Sequence, residues 1–340
     1  MPTTKQAPLM NKYFKTALNY MGIFALTAFL LWFSLRSLQA EEQDSSEFLW
    51  EAWQKTDKIF LMLMAVTATL SHFIRSLRWK MLLEPSGNNI GAFTGLWAIL
   101  IGYLVNLVVP RGGELSRCYY LMKLEKTPVQ VSFGTVVTER LIDLICLLIL
   151  IVAAFFSEWE KLAQFIQMLP FSADYILSLW PWLIVVAAVL AGFVYLVGWL
   201  RKNEKFRHII HGFKEGLLSV FKLKNRKLFI LYSVLIWTLY FVMSYFVVLS
   251  FPETKDLGVS AILTLFALGS IAMAVPLPGG TGSYHTIVPL GLVALYNIEK
   301  SDAVAFVFIF HAWQTAVMIF SGIISLLIAY ALMKWKPQKK

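Results

Sequence analysis

The chain has 340 residues, 58% of them hydrophobic and 15% charged, whereas a soluble domain carries about 25% charged residues. With a mean hydropathy of +0.67, this balance excludes a soluble globular fold and defines an all-α polytopic integral membrane protein. The net charge of +10 does not indicate nucleic acid as a partner, because Lys and Arg cluster beside apolar segments, the positive-inside pattern of membrane chains.

The first apolar span covers about residues 20–35 and follows Lys5, Lys12 and Lys15. A signal-peptide cut after Ala40 would put Leu38 at a small-residue position, so an uncleaved helix with a cytoplasmic N-terminus is expected. The acid-rich segment 41–58 suits an external loop. A second span, about 59–74, ends at Arg75, Arg78 and Lys80, which read as a cytoplasmic boundary. A third apolar stretch, about 92–109, breaks at Pro110-Arg111-Gly112-Gly113. A weaker stretch then reaches Lys126, and a long span runs over about 129–156 to Glu158 and Glu160. If 92–109 crossed the membrane fully, the acidic 157–160 would be cytoplasmic and the basic 201–227 external, the wrong sign for both. A re-entrant hairpin over 92–126 puts each later loop on its expected side. Such backbone is tolerated at membrane depth when buried in protein or lining a wet cavity.

Further spans cover about 182–200, 228–250 and 303–333, the last ending in Lys334, Lys336, Lys339 and Lys340. Segment 201–227 is basic and partly apolar and is expected along the cytoplasmic interface. Residues 257–297 form a second apolar pair, broken at Pro276-Leu277-Pro278-Gly279-Gly280-Thr281-Gly282. Trp159, Trp180, Trp182, Trp199 and Trp335 fall near span ends, as an aromatic belt requires. The expected architecture is one transmembrane domain over 1–340, with about six full spans and two re-entrant hairpins. Units 18–156 and 182–333 would form an inverted-topology repeat with its substrate site between the broken segments. The alternative is six to eight ordinary helices with kinks.

Ionisable residues within membrane spans mark the candidate site. Arg111, Glu114 and Arg117 lie at the first hairpin tip, and Glu139, Arg140 and Asp143 lie within the 129–156 span. Glu139 sits about 16 Å into that helix at ~1.5 Å per residue, near the midplane. Three positive charges face three negative ones. This suits either a neutralised cluster pinning hairpin to helix or a guanidinium partly free to clamp a phosphate. At the second break, the backbone N–H groups of Pro276–Gly282 suit either an anion or close packing. His285 follows, and His311 and Gln314 lie on adjacent turns of the last span, as a proton relay or as hydrogen-bonded packing groups. Cys118 and Cys146 show no metal-ligand spacing, so no metal, cofactor or disulfide framework is expected.

The run Asn106-Leu107-Val108-Val109-Pro110-Arg111-Gly112-Gly113-Glu114-Leu115-Ser116-Arg117, followed by Glu139-Arg140-Leu141-Ile142-Asp143, resembles the transmembrane domain of lysylphosphatidylglycerol synthases. It is also similar to the stand-alone uncharacterised inner-membrane proteins that share this domain, and Pro278-Gly279-Gly280-Thr281-Gly282 matches the family's second signature. The resemblance runs from the second span to the last. In the synthases this domain moves an aminoacylated lipid between leaflets while a soluble domain makes that lipid. No such soluble domain is read here, so lipid lysylation is not expected. His285 stands where the family usually has Glu, and His311 near a usual Arg, so substrate identity does not carry over. The resemblance implies a translocase of lipids or lipid-linked intermediates in a bacterial inner membrane, with membrane lipids as partners; the flanking lysines place both termini in the cytoplasm. Arg111, Arg117 and Arg140 would hold a head-group phosphate, while Glu114, Glu139 and Asp143 orient them or meet a cation. Asn106, His285, His311 and Gln314 complete the candidate set, and no catalytic residue is assigned. Two rivals stand: a membrane-embedded transferase acting on lipid phosphates, and a non-catalytic partner of an envelope enzyme. Homo-oligomerisation stays open.

Overall fold

The computed structural model describes residues 45–168, 203–275 and 277–335. The expected spans at 20–35 and 182–200, the tip residue Pro276 and the lysine tail after Trp335 lie outside the described residues. Trp180, Trp182 and Trp199 do as well. Every regular element described is helical: α1 (Ser45–Lys55), α2 (Lys58–Leu83), α3 (Ala92–Asn106), α4 (Gly112–Glu125), α5 (Val129–Ser157), α6 (Trp159–Met168), α7 (Glu204–Leu217), α8 (Arg226–Leu249), α9 (Val259–Ala274), α10 (Ser283–Tyr296) and α11 (Lys300–Trp335).

Four of these helices, α2, α5, α8 and α11, are long and apolar enough to cross a membrane. They coincide with the four expected spans that fall among the described residues. Their outward faces stay apolar: on α5, Leu141, Ile145, Ile149, Val152 and Phe156 are all exposed. Such a surface is a liability in water and is the lipid-facing side of a membrane bundle. The helix starts are set locally. Asp57 caps α2 by accepting from the Ile59 N–H, and Asn225 caps α8 by accepting from the Leu228 N–H.

The four helices of the two broken pairs are short. α3, α4, α9 and α10 have 15, 14, 16 and 14 residues. At ~1.5 Å per residue each reaches about 21–24 Å, short of a ~30 Å hydrocarbon core. Each pair is broken where Gly and Pro interrupt the apolar run, at 107–111 and at 275–282.

The pattern recurs from the first half to the second. Gly91 N-caps α3 and Gly258 N-caps α9, while Lys126 and Asn297 end α4 and α10 in the left-handed conformation common at helix C-termini. Three residues then separate each short helix from a long span. Close approaches also match. A Cβ on Gly102, the eleventh residue of α3, would meet Gly113 O at 2.9 Å; one on Gly269, the eleventh of α9, would meet the Tyr284 ring at 2.9 Å. Packing follows the same exchange: α11 lies on α3 as α5 lies on α9, and α2 packs on α8, its own counterpart. Each half has its own apolar cluster, one around Trp79, Leu121 and Val136, the other around Val247, Leu292 and Phe306.

Three local expectations are corrected. The acid-rich segment before α2 is not simply a loop: it holds α1, whose Trp53 ring packs on Trp313 of α11. The second span does not end at Arg75. It continues to Leu83, and Arg75 and Arg78 are buried, because carboxylates on α5 meet them. The 157–160 segment is not a plain loop: Glu158 accepts from Ser260 Oγ at 2.9 Å and Tyr296 Oη at 2.7 Å, tying the end of α5 to the second broken pair. The basic 201–227 segment carries α7, which packs along α5. Thr138 Oγ1 donates to Leu217 O at 2.8 Å, and a Cβ on Gly134 or Gly216 would strike the carbonyl of Phe213 or Val131.

This close crossing gives a test. Gly216→Leu should overpack the α5–α7 contact, at a cost of about 1–3 kcal/mol, and lower the melting temperature of the detergent-solubilised protein. An unchanged melt would show that α7 is not held there.

Candidate functional site

Glu139 has no exposed surface, and three guanidinium groups converge on it. Arg75 Nε donates to its Oε1, Arg78 Nη2 lies 3.4 Å from the same oxygen, and Arg117 Nη2 donates to Oε2 at 3.1 Å. Asp143, one turn further on α5, accepts from Arg78 Nη2 at 2.7 Å and Arg75 Nη2 at 3.1 Å. The spacing produces the match: residues three apart on α2 and four apart on α5 each share a helix face. Arg75 Nη1 also donates to Tyr103 Oη at 2.6 Å and lies 3.5 Å from Tyr240 Oη, and the Arg117 guanidinium lies 4.8 Å from the Trp79 ring centre. An intramembrane charge costs at least ~2.5–3.5 kcal/mol on insertion scales, so these groups persist only because each meets an opposite charge.

Arg140 leaves α5 in another direction. It does not pair with Asp143; its Nη2 donates to Glu114 Oε1 at 2.7 Å, and its side chain remains 41% exposed. Among the described residues, four guanidinium groups thus face three carboxylates, one positive charge in surplus, where the sequence had implied balance. Arg75, Ile99, Gly102, Tyr103, Asn106, Gly113, Glu114, Arg117 and Arg140 line a narrow, half-open cleft. Three of these residues hold buried polar atoms with no hydrogen-bond partner among the described residues: Glu114 Oε2, Arg117 Nε and Arg140 Nε. Buried polar atoms are nearly always satisfied, so two donors and an acceptor left open in the residues of one cleft point to a ligand or water.

The tips meet beside this cleft. Asn106 Oδ1 accepts from the Gly113 N–H at 2.7 Å across the first break. Arg111 adopts φ +61°, a conformation rare for a side-chain-bearing residue, and donates from Nη2 to Ala274 O at 2.8 Å. It caps the end of α9 rather than lining the cleft. Half-buried Pro110 and Gly112 complete the first tip. A Cβ on Gly279 would lie 3.1 Å from Leu107, so the second tip touches the first. Gly279, Gly280 and Gly282 all have positive φ, and Pro278 and Gly280 are buried.

His285 and His311 are buried together, ring centroids 4.7 Å apart. Gly282 N–H donates to His285 Nδ1 at 3.4 Å, and His311 Nε2 donates to Gly279 O at 3.1 Å. Gln314 is half-buried one turn away. Sequence reasoning missed Arg75, Arg78, Tyr103 and Tyr240. The first two looked like a positive-inside boundary; the available signal was the i, i+4 carboxylate pair on α5, which needs an i, i+3 cation pair elsewhere.

A polytopic helical membrane protein, with pairs of short broken helices beside a buried arginine–carboxylate cluster, is the class this geometry defines. Residues 19–322 match the family model described as the lysylphosphatidylglycerol synthase TM region, and the chain belongs to that family. It is similar to a UPF0104 membrane protein of Pyrococcus horikoshii, with 24% identity over 74% of this chain and 81% of the relative. A UPF0104 membrane protein of Methanocaldococcus jannaschii is 25% identical over 74% and 79% of the two chains. The glycosyltransferase AglD of Haloferax volcanii is 25% identical over 80% of this chain but only 49% of its own length. No solved structure matches. The expectation of a bacterial inner membrane is corrected, because these named relatives are archaeal; what stands is a multi-pass membrane protein.

Removing the central acid should be severe. Glu139→Gln leaves three buried guanidiniums short of a counter-charge, a loss on the scale of about 3–5 kcal/mol for a broken buried pair. Arg140→Ala removes a partly exposed pair, of the kind worth about 0–1 kcal/mol. Thermal melts in detergent should show Glu139→Gln far below wild type and Arg140→Ala close to it. The reverse order would contradict this assignment.

Proposed function

We propose that the protein is a translocase for lipids or lipid-linked intermediates, and that the cleft beside Arg117 and Arg140 receives an anionic head group. The observation that carries this reading is the surplus guanidinium: unpartnered N–H groups of Arg117 and Arg140 belong to the lining of one cleft, next to an unpartnered carboxylate oxygen of Glu114. Guanidinium groups bind phosphate oxygens through directed, charge-assisted bonds. Glu139 and Asp143 hold Arg75 and Arg78 as scaffold, so the site keeps its shape without ligand. Glu114 would orient Arg140 and accept from a donor on the head group. In this reading the two units form an inverted repeat, the broken pairs are hairpins entering from opposite sides, and their touching tips divide the path. Membership of a family tied to lipid handling supports it.

The glycosyltransferase relative supports a second reading, a membrane-embedded transferase or its lipid-handling portion, acting on a lipid phosphate. The two separate on chemistry: a translocase returns its lipid unchanged, and a transferase does not.

Leaflet transfer of labelled phospholipids in proteoliposomes tests the first reading. Arg140→Ala, compared at equal folded protein, should lower transfer about tenfold or more, the scale of one ~1.5–3 kcal/mol hydrogen bond to a charged group. Absence of transfer by folded wild type, across anionic, zwitterionic and polyprenyl-phosphate lipids, would overturn it.

A further inference from the structure

The chain between α7 and α8 runs Ser219-Val220-Phe221-Lys222-Leu223-Lys224-Asn225-Arg226-Lys227, with four cations and no acid. The fold sorts its side chains. Leu223 is buried with Leu82 at the end of α2 and Phe229 in the first turn of α8, and Val220 and Ile142 of α5 pack on that cluster. The backbone is pinned on both sides of Phe221. Thr138 Oγ1 of α5 donates to Leu217 O at 2.8 Å, and Arg226 Nη2 donates to Phe221 O at 2.9 Å. The segment is therefore a fixed ledge between three long helices. Lys222, Lys224, Arg226 and Lys227 are all exposed on it.

Phe221 breaks the sorting. It is 70% exposed, although the apolar residues beside it, Val220 and Leu223, are packed. A single bare apolar residue is ordinary and would carry nothing alone. Its surroundings give it meaning. The ring stands among cations, and Arg226, five residues on, is the first residue of the span α8. The ledge also packs on the last turn of the span α2. Both contacts place it at the border of the apolar band, where aromatic rings enter the head-group layer and cations stay at its surface.

The rest of this end is basic too. Leu83, Leu121 and Val131 share one apolar cluster, so α2 and α4 end where α5 begins. Lys123 and Lys126 are exposed at the end of α4, and Lys214 is exposed on α7. Among the described residues of this end, Glu84, Glu125, Glu204 and Glu215 offset part of the charge. Glu204 pairs with Arg207 on α7 itself, and Thr94 Oγ1 donates to Glu125. The opposite end, where the Asp57 N–H donates to Ser250 O, is mixed, with Asp57, Glu253 and Asp256 beside Lys58 and Lys255. Cations gathered at one border call for an anionic partner. The exposed ring among them, level with the ends of two spans, selects lipid: an acidic protein surface would leave Phe221 in a polar setting.

We propose that the Phe221–Lys227 ledge is a binding site for anionic lipid head groups of the adjoining leaflet. Lys222, Lys224 and Lys227 meet the phosphates, and Phe221 sits among the glycerol and upper acyl carbons. Each cation near an anionic leaflet strengthens binding about fivefold, so the ledge selects by several charges acting together. The cleft is lined by other residues, and the ledge does not depend on the translocase reading. It abuts α5 at Thr138 and Ile142, which flank Glu139 and Arg140, so it gathers anionic lipid beside the helix that carries the charged cluster.

The test uses the full chain in nanodiscs of mixed phosphatidylcholine and phosphatidylglycerol. One series carries a photoactivatable phosphatidylglycerol with a diazirine near its head group, the other the matching phosphatidylcholine. Peptide mass spectrometry counts cross-links within residues 219–227. Capture of phosphatidylglycerol should exceed that of phosphatidylcholine about fivefold or more at ~0.1 M salt. It should fall toward parity at ~1 M, where the Debye length shrinks from about 10 Å to about 3 Å. Lys222→Gln/Lys224→Gln/Lys227→Gln should lower the preference below about twofold; Arg226 is kept because it holds Phe221 O. Phe221→Gln should reduce capture of both lipids. Arg140→Ala should leave the preference unchanged, which separates this site from the cleft. Equal capture of the two lipids by wild type, or a preference that survives in the triple variant, overturns the proposal and leaves the cations to an acidic protein surface or to orientation of the chain. Should the triple variant fail to fold, the salt series on wild type decides: a preference unmoved at ~1 M overturns the proposal as well.

Discussion

A carboxylate cannot stay ionised inside a membrane bundle unless cations surround it, and Glu139 is where this chain meets that constraint. Its two oxygens draw Arg75 and Arg78 from α2 and Arg117 from α4 onto α5, so one acid fixes three helices relative to one another. Asp143 and the tyrosines from α3 and α8 then complete the shell of Arg75. The apolar contacts of the first half, around Trp79 and Leu121, pack beneath this shell. Dispersion and burial give compactness, but the register of α2 on α5 is dictated by charge, since a one-residue slip would leave several ions unpaired at large cost.

Among the described residues, the broken pair of the second half packs against its long span through two imidazoles rather than an ion pair. Where the first half brings α3 and α4 together through Gly102 and Gly113, the second uses Gly269 beneath the Tyr284 ring. Where the first links its short helix to its long span with a salt bridge, the second uses two histidines bonded to the backbone of the broken tip. Arg111, in its unusual backbone conformation, spans from one tip to the end of α9 and couples the two breaks mechanically.

Much of this was legible in the sequence for physical reasons. Membrane spans announce themselves because about twenty apolar residues are needed to cross a bilayer, and the four long described helices fall where hydropathy placed them. The two breaks were readable because Gly and Pro cannot continue an apolar helix unnoticed. The grouping of Glu114, Arg117, Glu139 and Arg140 followed from the cost of intramembrane charge. Pairing did not follow. Arg75 and Arg78 sit where a span could end, and only the three-dimensional approach of α2 to α5 shows that they lie inside the protein. The direction of Arg111 was not legible for the converse reason: it sits within the motif, yet the left-handed turn aims it at the end of α9.

The proposed function depends on whether the surplus guanidinium holds an anionic head group. Native mass spectrometry of the detergent-released protein, comparing retention of anionic phospholipid with retention of uncharged diacylglycerol, addresses this directly. Wild type should keep one copy of the anionic lipid, and Arg140→Ala should lose it while still folded, with diacylglycerol retained weakly and equally by both. Equal retention of anionic lipid by wild type and variant would mean that the cleft is packing and that the charged cluster serves the fold alone.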